Sequence, residues 1–245
     1  MHDAEPAEAI TVGGYAVYAQ DSTITPRPDA DTLRDRGQVY SAASKGTVPG
    51  HQFSWLGRIL ARGQSWFAPR DVDRIPTTST PGEVGATQVK RLAESAHATE
   101  PPKAIVVDSG YAKRKFLQVF VGLTAVFVLV RLARNRVLYG VPPPKTGKPG
   151  APKKHGKKLS LKAPPAPEQQ ETFTVGDCQV CLSAWDNLHF KFLPALIGRV
   201  LRVEFLRADG SPRYQRPLWL FWSGPSTVAL HDLALMYLLR FGIEH

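Results

Sequence analysis

The C-terminal end of the chain carries the most suggestive arrangement of chemically active side chains. Tyr237, Arg240 and Glu244 are spaced i, i+3 and i+7, in a segment that the pattern predicts to be a helix capped by Ser226 or Thr227. At 3.6 residues per turn these positions fall within an arc of about 60°, so one helix face would present a phenol, a guanidinium and a carboxylate together. The same spacing more often belongs to a solvated helix face with one Arg–Glu pair. Three residues alone do not define a site.

A basic stretch between residues 131 and 162 is the second candidate. It contains ten of the 31 Lys and Arg residues and no Asp or Glu, so the other 21 basic residues balance the 21 acidic ones. All of the net charge of +10 therefore lies in this stretch. A positive stripe of this kind attracts a polyanion, either nucleic acid or an anionic membrane surface, unless it is only a solvated loop. The candidate contacts in this stretch are Arg134, Arg136, Lys153, Lys154, Lys157 and Lys158.

Composition excludes several other classes of protein. An apolar fraction of 43% and a charged fraction of 21% are ordinary for a folded globular chain. Two cysteines exclude a disulfide scaffold and fit a reducing cytoplasm, where we expect the protein; the spacing of Cys178 and Cys181 matches half a zinc site, but no second pair exists. The apolar run Phe116–Val130 is shorter than the roughly 20 residues of a membrane helix, so no membrane partner is predicted. Residues 1–10 lack the apolar stretch of a signal peptide and are expected to be disordered.

Two acidic residues directly follow predicted strands. Residues 14–20 alternate in polarity and lead to Asp21, and the apolar run 104–107 ends at Asp108. Both aspartates could also be ordinary turn or capping residues. The succession of this second strand, a helix at 111–120 and a strand at 125–131 is typical of a mixed sheet covered by helices. Further predicted elements are strands at 38–41 and 51–59, a helix at 83–96, and a hairpin formed by 201–206 and 214–222.

The composition changes sharply after residue 139. Residues 140–170 are rich in Pro, Gly and Lys and predict an extended, solvated linker without a pattern for a core. Residues 171–215 return to short apolar and alternating runs, which predict a small β-rich region. We therefore expect a core made of residues 11–139 and 216–245, interrupted by this insertion.

Several segments resemble DDE-type transposases of bacterial insertion sequences. Residues 237–244 (Tyr-Leu-Leu-Arg-Phe-Gly-Ile-Glu) look like the signature Tyr-x2-Arg-x3-Glu-x6-Lys of one large branch. Residues 106–111 (Val-Val-Asp-Ser-Gly-Tyr) resemble the segment with the second catalytic aspartate, and residues 19–23 (Ala-Gln-Asp-Ser-Thr) resemble the first. Residues 134–136 and 213–219 are also similar to this group. The resemblance covers nearly the whole chain, and the three acidic motifs occur in the family's order.

This resemblance implies an RNase H-like α/β fold with a metal-dependent active site. In that fold the first two aspartates lie on adjacent strands, and the glutamate comes from a helix packed on the sheet. Asp21, Asp108 and Glu244 would be the catalytic residues and would bind two Mg²⁺ or Mn²⁺ ions, which prefer hard oxygen ligands. Two such ions support in-line phosphoryl transfer. Tyr237 and Arg240 would then hold DNA phosphates beside the metals.

The implied partner is double-stranded DNA at the ends and target of a mobile element, in a prokaryotic cell and in association with the nucleoid. The implied reaction is strand cleavage followed by strand transfer; a homodimer on the DNA is left open. Only 20 residues precede Asp21 and the signature's lysine would follow His245, so a copy truncated at both ends is expected. Two alternatives stay open. One is a catalytically inactive DNA-binding remnant, and the other is an RNase H-like nuclease without strand transfer.

Overall fold

One large sheet with helices on both faces dominates the structure, a computed structural model that describes residues 10–60, 67–144 and 153–240. Residues 1–9, which belong to the N-terminus predicted to be disordered, lie outside the described residues. Glu244 also lies outside them. No helix in the described part of the chain is long and apolar enough to cross a membrane. The strands are β1 (Thr11–Val12), β2 (Tyr15–Pro26), β3 (Gly37–Ser41), β4 (Gly46–Ile59), β5 (Phe67–Ile75), β6 (Lys103–Val107), β7 (Val126–Arg131), β8 (Val137–Gly140), β9 (Lys158–Ser160), β10 (Gln169–Val175), β11 (Cys178–Phe190), β12 (Leu193–Leu206) and β13 (Leu218–Trp222).

The sheet is mixed but mostly antiparallel. Its order is β3-β4-β2-β6-β7-β13-β12-β11-β8-β9, with β1 on β2, β5 on β4 and β10 on β11. Among the strands of the described residues, the parallel pairings are those of β2 with β6 and of β6 with β7. These three strands lie side by side, and β6 between them is an apolar run that is buried along its whole length. The architecture is therefore α/β, as the sequence predicts.

In the part of the chain that the structure describes, the α-helices are α1 (Pro81–Glu94), α2 (Arg114–Leu117) and α3 (Leu230–Leu239). Helix α1 agrees with the prediction at 83–96 and starts in a capping box, in which the Thr80 hydroxyl and the Glu83 carboxylate satisfy each other's backbone N–H groups. The predicted helix at 111–120 begins later than expected. Helix α2 starts at Arg114 and a 3₁₀ turn continues it over Gln118–Phe120, whereas Ser109–Tyr111 form a separate 3₁₀ turn. The two are separated because Lys113 adopts an extended backbone (φ −126°, ψ 154°).

The two faces of the sheet bury separate apolar clusters. One cluster lies under α1 and α2 and includes Phe116, Leu117 and Phe120. The other lies under α3, which is apolar on most sides and buries Leu233 and Met236 completely. Because residues alternate along a strand, Ala19 faces the α3 side while Gln20 faces α1. This alternation decides which helix each site residue can meet.

The region predicted as a linker and insertion is part of the same sheet. Strands β11 and β12 form a long hairpin, and β12 continues the sheet through β13. Within the lysine-rich segment, β9 pairs with β8, and Leu159 and Leu161 are buried in the core. The prediction that residues 140–170 contribute nothing to the core is therefore wrong for Leu159 and Leu161. Two leucines two residues apart are too short a pattern to detect in the sequence. The domain boundaries at 139 and 215 remain predictions.

A buried ion pair connects the hairpin to the segment before α3. The guanidinium of Arg199 binds both carboxylate oxygens of Asp186, with distances of 2.6 Å from Nε and 2.9 Å from Nη2. A third donor, Nη1, reaches the Val228 carbonyl at 3.2 Å. The Arg199 side chain is 4% exposed and that of Asp186 is 22% exposed. This pair fixes where the chain enters α3.

Candidate active site

Asp21 and Asp108 lie at matching positions on neighbouring parallel strands. Ala19 of β2 is the register partner of Val106 of β6, and each aspartate lies two residues further along its chain. Both therefore reach the same edge of the sheet, and a sequence separation of 87 residues is closed by a single strand pairing. One detail differs from the prediction: β2 continues to Pro26, so Asp21 lies inside a strand opposite Trp55 of β4, not at a strand end.

The Asp21 carboxylate is held from two sides. Its Oδ1 accepts a hydrogen bond from the Ser22 backbone N–H at 2.8 Å, and its Oδ2 accepts one from Arg240 Nη1 at 3.0 Å. Arg240 is the residue that ends α3. The side chain of Asp21 is 26% exposed and that of Arg240 is 6% exposed. The first acidic residue is thus oriented by its own strand and by the C-terminal end of the helix on that face.

Asp108 is positioned by the turn that follows β6. It caps the 3₁₀ turn, and its Oδ1 accepts the Gly110 N–H at 2.8 Å. The residue is half-buried. Capping alone would explain an aspartate here, but capping does not require a second carboxylate at the matching position of the adjacent strand.

A buried polar network lies behind Asp21, on the α1 side of the sheet. Gln20, Ser54 and Gln88 are all fully buried. The Gln88 carboxamide oxygen accepts hydrogen bonds from Gln20 Nε2 at 2.9 Å and from the Ser54 hydroxyl at 2.6 Å, and Gln88 Nε2 donates to the Ser54 carbonyl at 3.1 Å. The network ties β2, β4 and α1 together one residue before Asp21, and it was not predicted because single glutamines carry no spacing signal.

Tyr111 is buried close to this network. Burial raises the pKa of its phenol well above the ordinary value; the hydroxyls of Ser54 and Ser22 oppose that rise, and the negative charges of Asp21 and Asp108 add to it. Its ring meets Phe116 edge to face, with 4.9 Å between centroids. A phenol that stays neutral at neutral pH therefore lies near Asp21 and Asp108.

A comparison with family models places the chain in a known family. The profile of a family described as DDE superfamily endonuclease matches residues 4–187. This is a DDE family protein. The match covers about three quarters of the chain, including both aspartates. A search of curated proteins finds no match. Family membership implies a nuclease or transposase type of enzyme that acts on DNA and generally uses divalent metal ions.

The carboxylate chemistry of this DDE protein suits such metals. Asp21 and Asp108 supply hard oxygen donors of the kind that Mg²⁺ and Mn²⁺ prefer. Within residues 10–60, 67–144 and 153–240 no group of three or more acidic, histidine or cysteine side chains that could hold a metal ion is present. The assignment of Asp21, Asp108 and Glu244 as metal-binding residues remains a prediction. Cys178 and Cys181 both lie on β11 as free thiols.

Tyr237 and Arg240 are buried, whereas a side chain that binds a DNA phosphate is expected at the surface. Tyr237 is 1% exposed and Arg240 is 5% exposed. The Arg240 guanidinium carbon lies 6.0 Å from the centre of the Tyr237 ring. Both side chains pack between α3 and the sheet in this conformation, and neither is presented to solvent. Their role as DNA contacts remains a prediction.

Exposed cations surround the aspartates of the DDE protein. Arg131 is the next residue after Val130, the register partner of Val107, so it lies beside Asp108 at the same edge. Arg134 is exposed, and Arg136 donates from Nη2 to the Ala112 carbonyl at 3.2 Å, just beyond the turn at Asp108. A further set follows Asp108 by five to seven residues and is also exposed: Lys113, Arg114 and Lys115. Sequence reasoning missed this set, although three consecutive basic residues so close to an acidic motif are a readable signal.

The predicted lysines lie further along the sheet. Lys153, Lys154, Lys157 and Lys158 are exposed, and Lys158 begins β9 at the end of the strand order. A cleft of about 430 Å³ is lined by Arg131 and by residues of β12 and β13. Its walls include Arg216 and Tyr214, whose ring meets Phe205 edge to face at 5.4 Å. Cationic and aromatic side chains are therefore exposed on the part of the sheet that extends from β7 to β9.

Proposed function

We propose that this DDE protein cleaves DNA at the ends of a mobile element and joins the resulting 3′ ends to target DNA. One observation carries the proposal: Asp21 and Asp108 each lie two residues beyond Ala19 and Val106, the last register pair of the parallel strands β2 and β6, within the region that matches the family. Glu244 is proposed as the third acidic residue. It follows Arg240 by four residues, and Arg240 already contacts Asp21.

The proposed division of labour follows from the contacts of each residue. Asp21 and Asp108 would hold two Mg²⁺ or Mn²⁺ ions, which would supply charge stabilisation for the attacking and leaving oxygens. The backbone N–H groups of Ser22 and Gly110 each orient one carboxylate oxygen. These donors belong to the β2 backbone and to a tight turn, so this part of the support does not depend on the conformation of a flexible side chain.

The DNA backbone would lie across the exposed cations at this edge. Arg131, Arg134 and Arg114 are exposed beside or just after the aspartates. Guanidinium groups bind phosphate oxygens through charge-assisted, often bidentate hydrogen bonds. The exposed lysines 153, 154, 157 and 158 would extend the contact along the duplex. We expect double-stranded DNA to be positioned mainly through its backbone.

A nuclease without strand transfer is the second candidate. It is favoured by the description of the matched family, which names an endonuclease. Cleavage and joining use the same carboxylates, so the two candidates differ only in whether a DNA 3′-hydroxyl can replace water as the nucleophile.

The test is nicking of supercoiled plasmid in Mg²⁺ or Mn²⁺, followed by a joining assay with a labelled 3′-hydroxyl end. Asp21→Asn and Asp108→Asn should each abolish nicking, because each removes a charged ligand and keeps the shape of the side chain. Asp29→Asn is the matched control, since Asp29 is an exposed aspartate outside the strands that carry or precede the two acidic residues. Nicking that survives both active-site changes would refute the assignment, and nicking without joining would favour the nuclease.

A further inference from the structure

The contact between Arg240 and Asp21 joins the end of a helix to the strand that carries the first acidic residue. Nη1 of Arg240 lies 3.0 Å from Oδ2 of Asp21. The two residues are 219 positions apart in sequence, so the pair is a tertiary feature. Arg240 sits at the C-cap of α3, where a cation also interacts favourably with the helix dipole.

Burial makes this pair stronger than an ordinary surface ion pair. The Arg240 side chain is 6% exposed, so water screens the interaction poorly. An exposed pair contributes little because solvent and side-chain entropy cancel its attraction. Here the Tyr237 ring lies beside the guanidinium and restricts it. Asp21 is therefore bound to a fixed positive charge before any other cation arrives.

A guanidinium and a divalent metal ion compete for the same carboxylate charge. Oδ1 of Asp21 already accepts the Ser22 N–H, and Oδ2 accepts Arg240. A metal ion that binds Asp21 must either displace the guanidinium or accept a positive charge next to it, and both cost free energy.

We propose that Arg240 is the resident counter-cation of Asp21, a positioning residue that anchors α3 to β2 and weakens the binding of divalent cations to Asp21. This inference rests on the proposed function, because it assumes that Asp21 is a metal ligand. It differs from the phosphate contact that the transposase resemblance implies. A phosphate contact would leave metal affinity unchanged in the absence of DNA, whereas a counter-cation lowers it.

The size of the effect follows from population arithmetic. If the ion pair is formed about nine-tenths of the time, only about a tenth of the molecules present a free Asp21 carboxylate, and the measured dissociation constant for the metal rises about tenfold. Removing the guanidinium should therefore tighten metal binding by roughly a factor of ten. The same change should weaken the anchoring of α3.

The experiment measures Mn²⁺ binding to the full chain without DNA, by electron paramagnetic resonance of free Mn²⁺. Arg240→Met should bind Mn²⁺ about tenfold more tightly than the wild type, and Arg240→Lys should stay close to the wild type because it keeps the charge. Arg240→Gln keeps a hydrogen-bond donor without charge and replaces Arg240→Met in the experiment if that variant does not fold. Arg240→Gln should also bind Mn²⁺ more tightly than the wild type.

Arg199→Met is the matched control. Arg199 and Arg240 are similarly buried, and their aspartate partners are 22% and 26% exposed. Arg199→Met removes a buried arginine from an ion pair that does not involve the proposed ligands, so Mn²⁺ affinity should not change. Equal tightening in both variants would mean that a general loosening of the fold is responsible, and the inference would be wrong.

Two further variants separate this inference from the proposed function. Asp21→Asn and Asp108→Asn should abolish the tight Mn²⁺ site in both the wild-type and the Arg240→Met backgrounds. If Mn²⁺ binding is absent or independent of these aspartates in both backgrounds, the proposed metal site itself is wrong. If binding depends on the aspartates but is unchanged or weaker in Arg240→Met and Arg240→Gln, only the role assigned to Arg240 is overturned.

Discussion

At the scale of single residues, the site is defined by the groups that hold each carboxylate. Asp21 accepts hydrogen bonds from a backbone N–H and from a guanidinium, and Asp108 accepts one from the backbone of its own turn. Tyr111 adds a neutral phenol in the same neighbourhood. These contacts are local to the sheet edge, so single substitutions can test them.

The first residue-scale prediction concerns the ionisation of Tyr111. Because its pKa in the folded state is raised above the value of about 10 in an unfolded chain, the folded state favours the protonated phenol. This contribution to stability is fully present below pH 10 and is lost as the pH rises above that value. The unfolding free energy of the wild type should therefore fall more steeply above pH 10 than that of Tyr111→Phe.

Denaturant unfolding between pH 8 and 11.5 would measure this difference. Tyr40→Phe is a suitable control, since Tyr40 is 57% exposed. The Tyr40 variant should follow the wild-type curve. Identical slopes for the wild type and Tyr111→Phe would contradict the proposed environment of the buried phenol.

At the scale of elements, the surroundings of the two aspartates depend on α1, which carries no acidic site residue. Helix α1 supplies Gln88 to the network behind Asp21. Glu83 in its first turn also binds Lys115 Nζ at 2.5 Å, which links α1 to the segment after Asp108. The Lys115 ammonium and the Thr80 hydroxyl together lower the pKa of the Glu83 carboxyl to about 2.

The capping box of α1 gives an element-scale prediction. Thr80→Ala removes the side chain that caps α1 and should lower the unfolding free energy by about 1 kcal/mol. The depressed pKa of Glu83 adds a pH dependence: its contribution is present above the unfolded value near 4.5 and is lost as the pH falls toward about 2. Thermal unfolding at pH 7 and pH 3 would show a smaller difference between variant and wild type at pH 3. A constant difference would exclude the link between the cap and Glu83.

The buried pair in the hairpin gives a second element-scale prediction. Asp186→Ala leaves the guanidinium of Arg199 buried without its partner, which should cost about 3–5 kcal/mol of stability. The double variant Asp186→Leu with Arg199→Met removes both charges and should cost less. Urea unfolding of the wild type, Asp186→Ala and the double variant would measure the three free energies of unfolding. A double variant that is less stable than Asp186→Ala would show that the pair contributes more than the cost of desolvating it.

At the scale of the whole molecule, the charge distribution decides how the protein meets DNA. The net charge of +10 arises from one stretch of sequence, but the fold spreads that stretch from Arg131 beside Asp108 to Lys158 in β9. Lys113 and Arg114 join it from a different part of the chain. The cationic surface therefore begins at the aspartates and extends away from them.

Salt dependence of DNA binding tests this surface. If six to ten phosphates are contacted, affinity should fall by about 10³–10⁵ between about 50 and 200 mM salt. Replacing Lys153, Lys154, Lys157 and Lys158 by Ala should reduce the slope of log K against log salt by about 3–4, since each phosphate contact contributes about 0.9. An unchanged slope would mean that these lysines do not contact DNA phosphates.

A second variant with Lys113, Arg114, Arg131 and Arg134 replaced by Ala provides the comparison. These residues lie beside the aspartates, so their loss should lower both the affinity for DNA and the rate of nicking. The lysine variant should lose affinity while retaining nicking at saturating protein. Equal effects on nicking from the two variants would contradict the proposed path of the DNA.

Sequence alone determined the parts of the molecule that depend on local pattern. The strands ending near Asp108, the helix with its capping box at Thr80, and the concentration of charge after residue 131 were all readable, because periodicity, capping and composition act over a few residues. The acidic motifs could also be found and ordered. The short strands β8 and β9 and the interrupted helix after Asp108 were not readable, since each spans only a few residues.

Only the tertiary structure decided which distant residues meet. Whether β2 and β6 are neighbours, and in which register, determines that Asp21 and Asp108 share an edge; no local pattern contains that information. The partner of Arg240 depends on how α3 crosses the sheet, so a side chain expected to face DNA turned out to be buried against Asp21. Likewise, the strands predicted as an insertion joined the main sheet through β12 and β13. Local propensities specify the elements, whereas burial of their apolar faces, acting over the whole chain, selects how they pair.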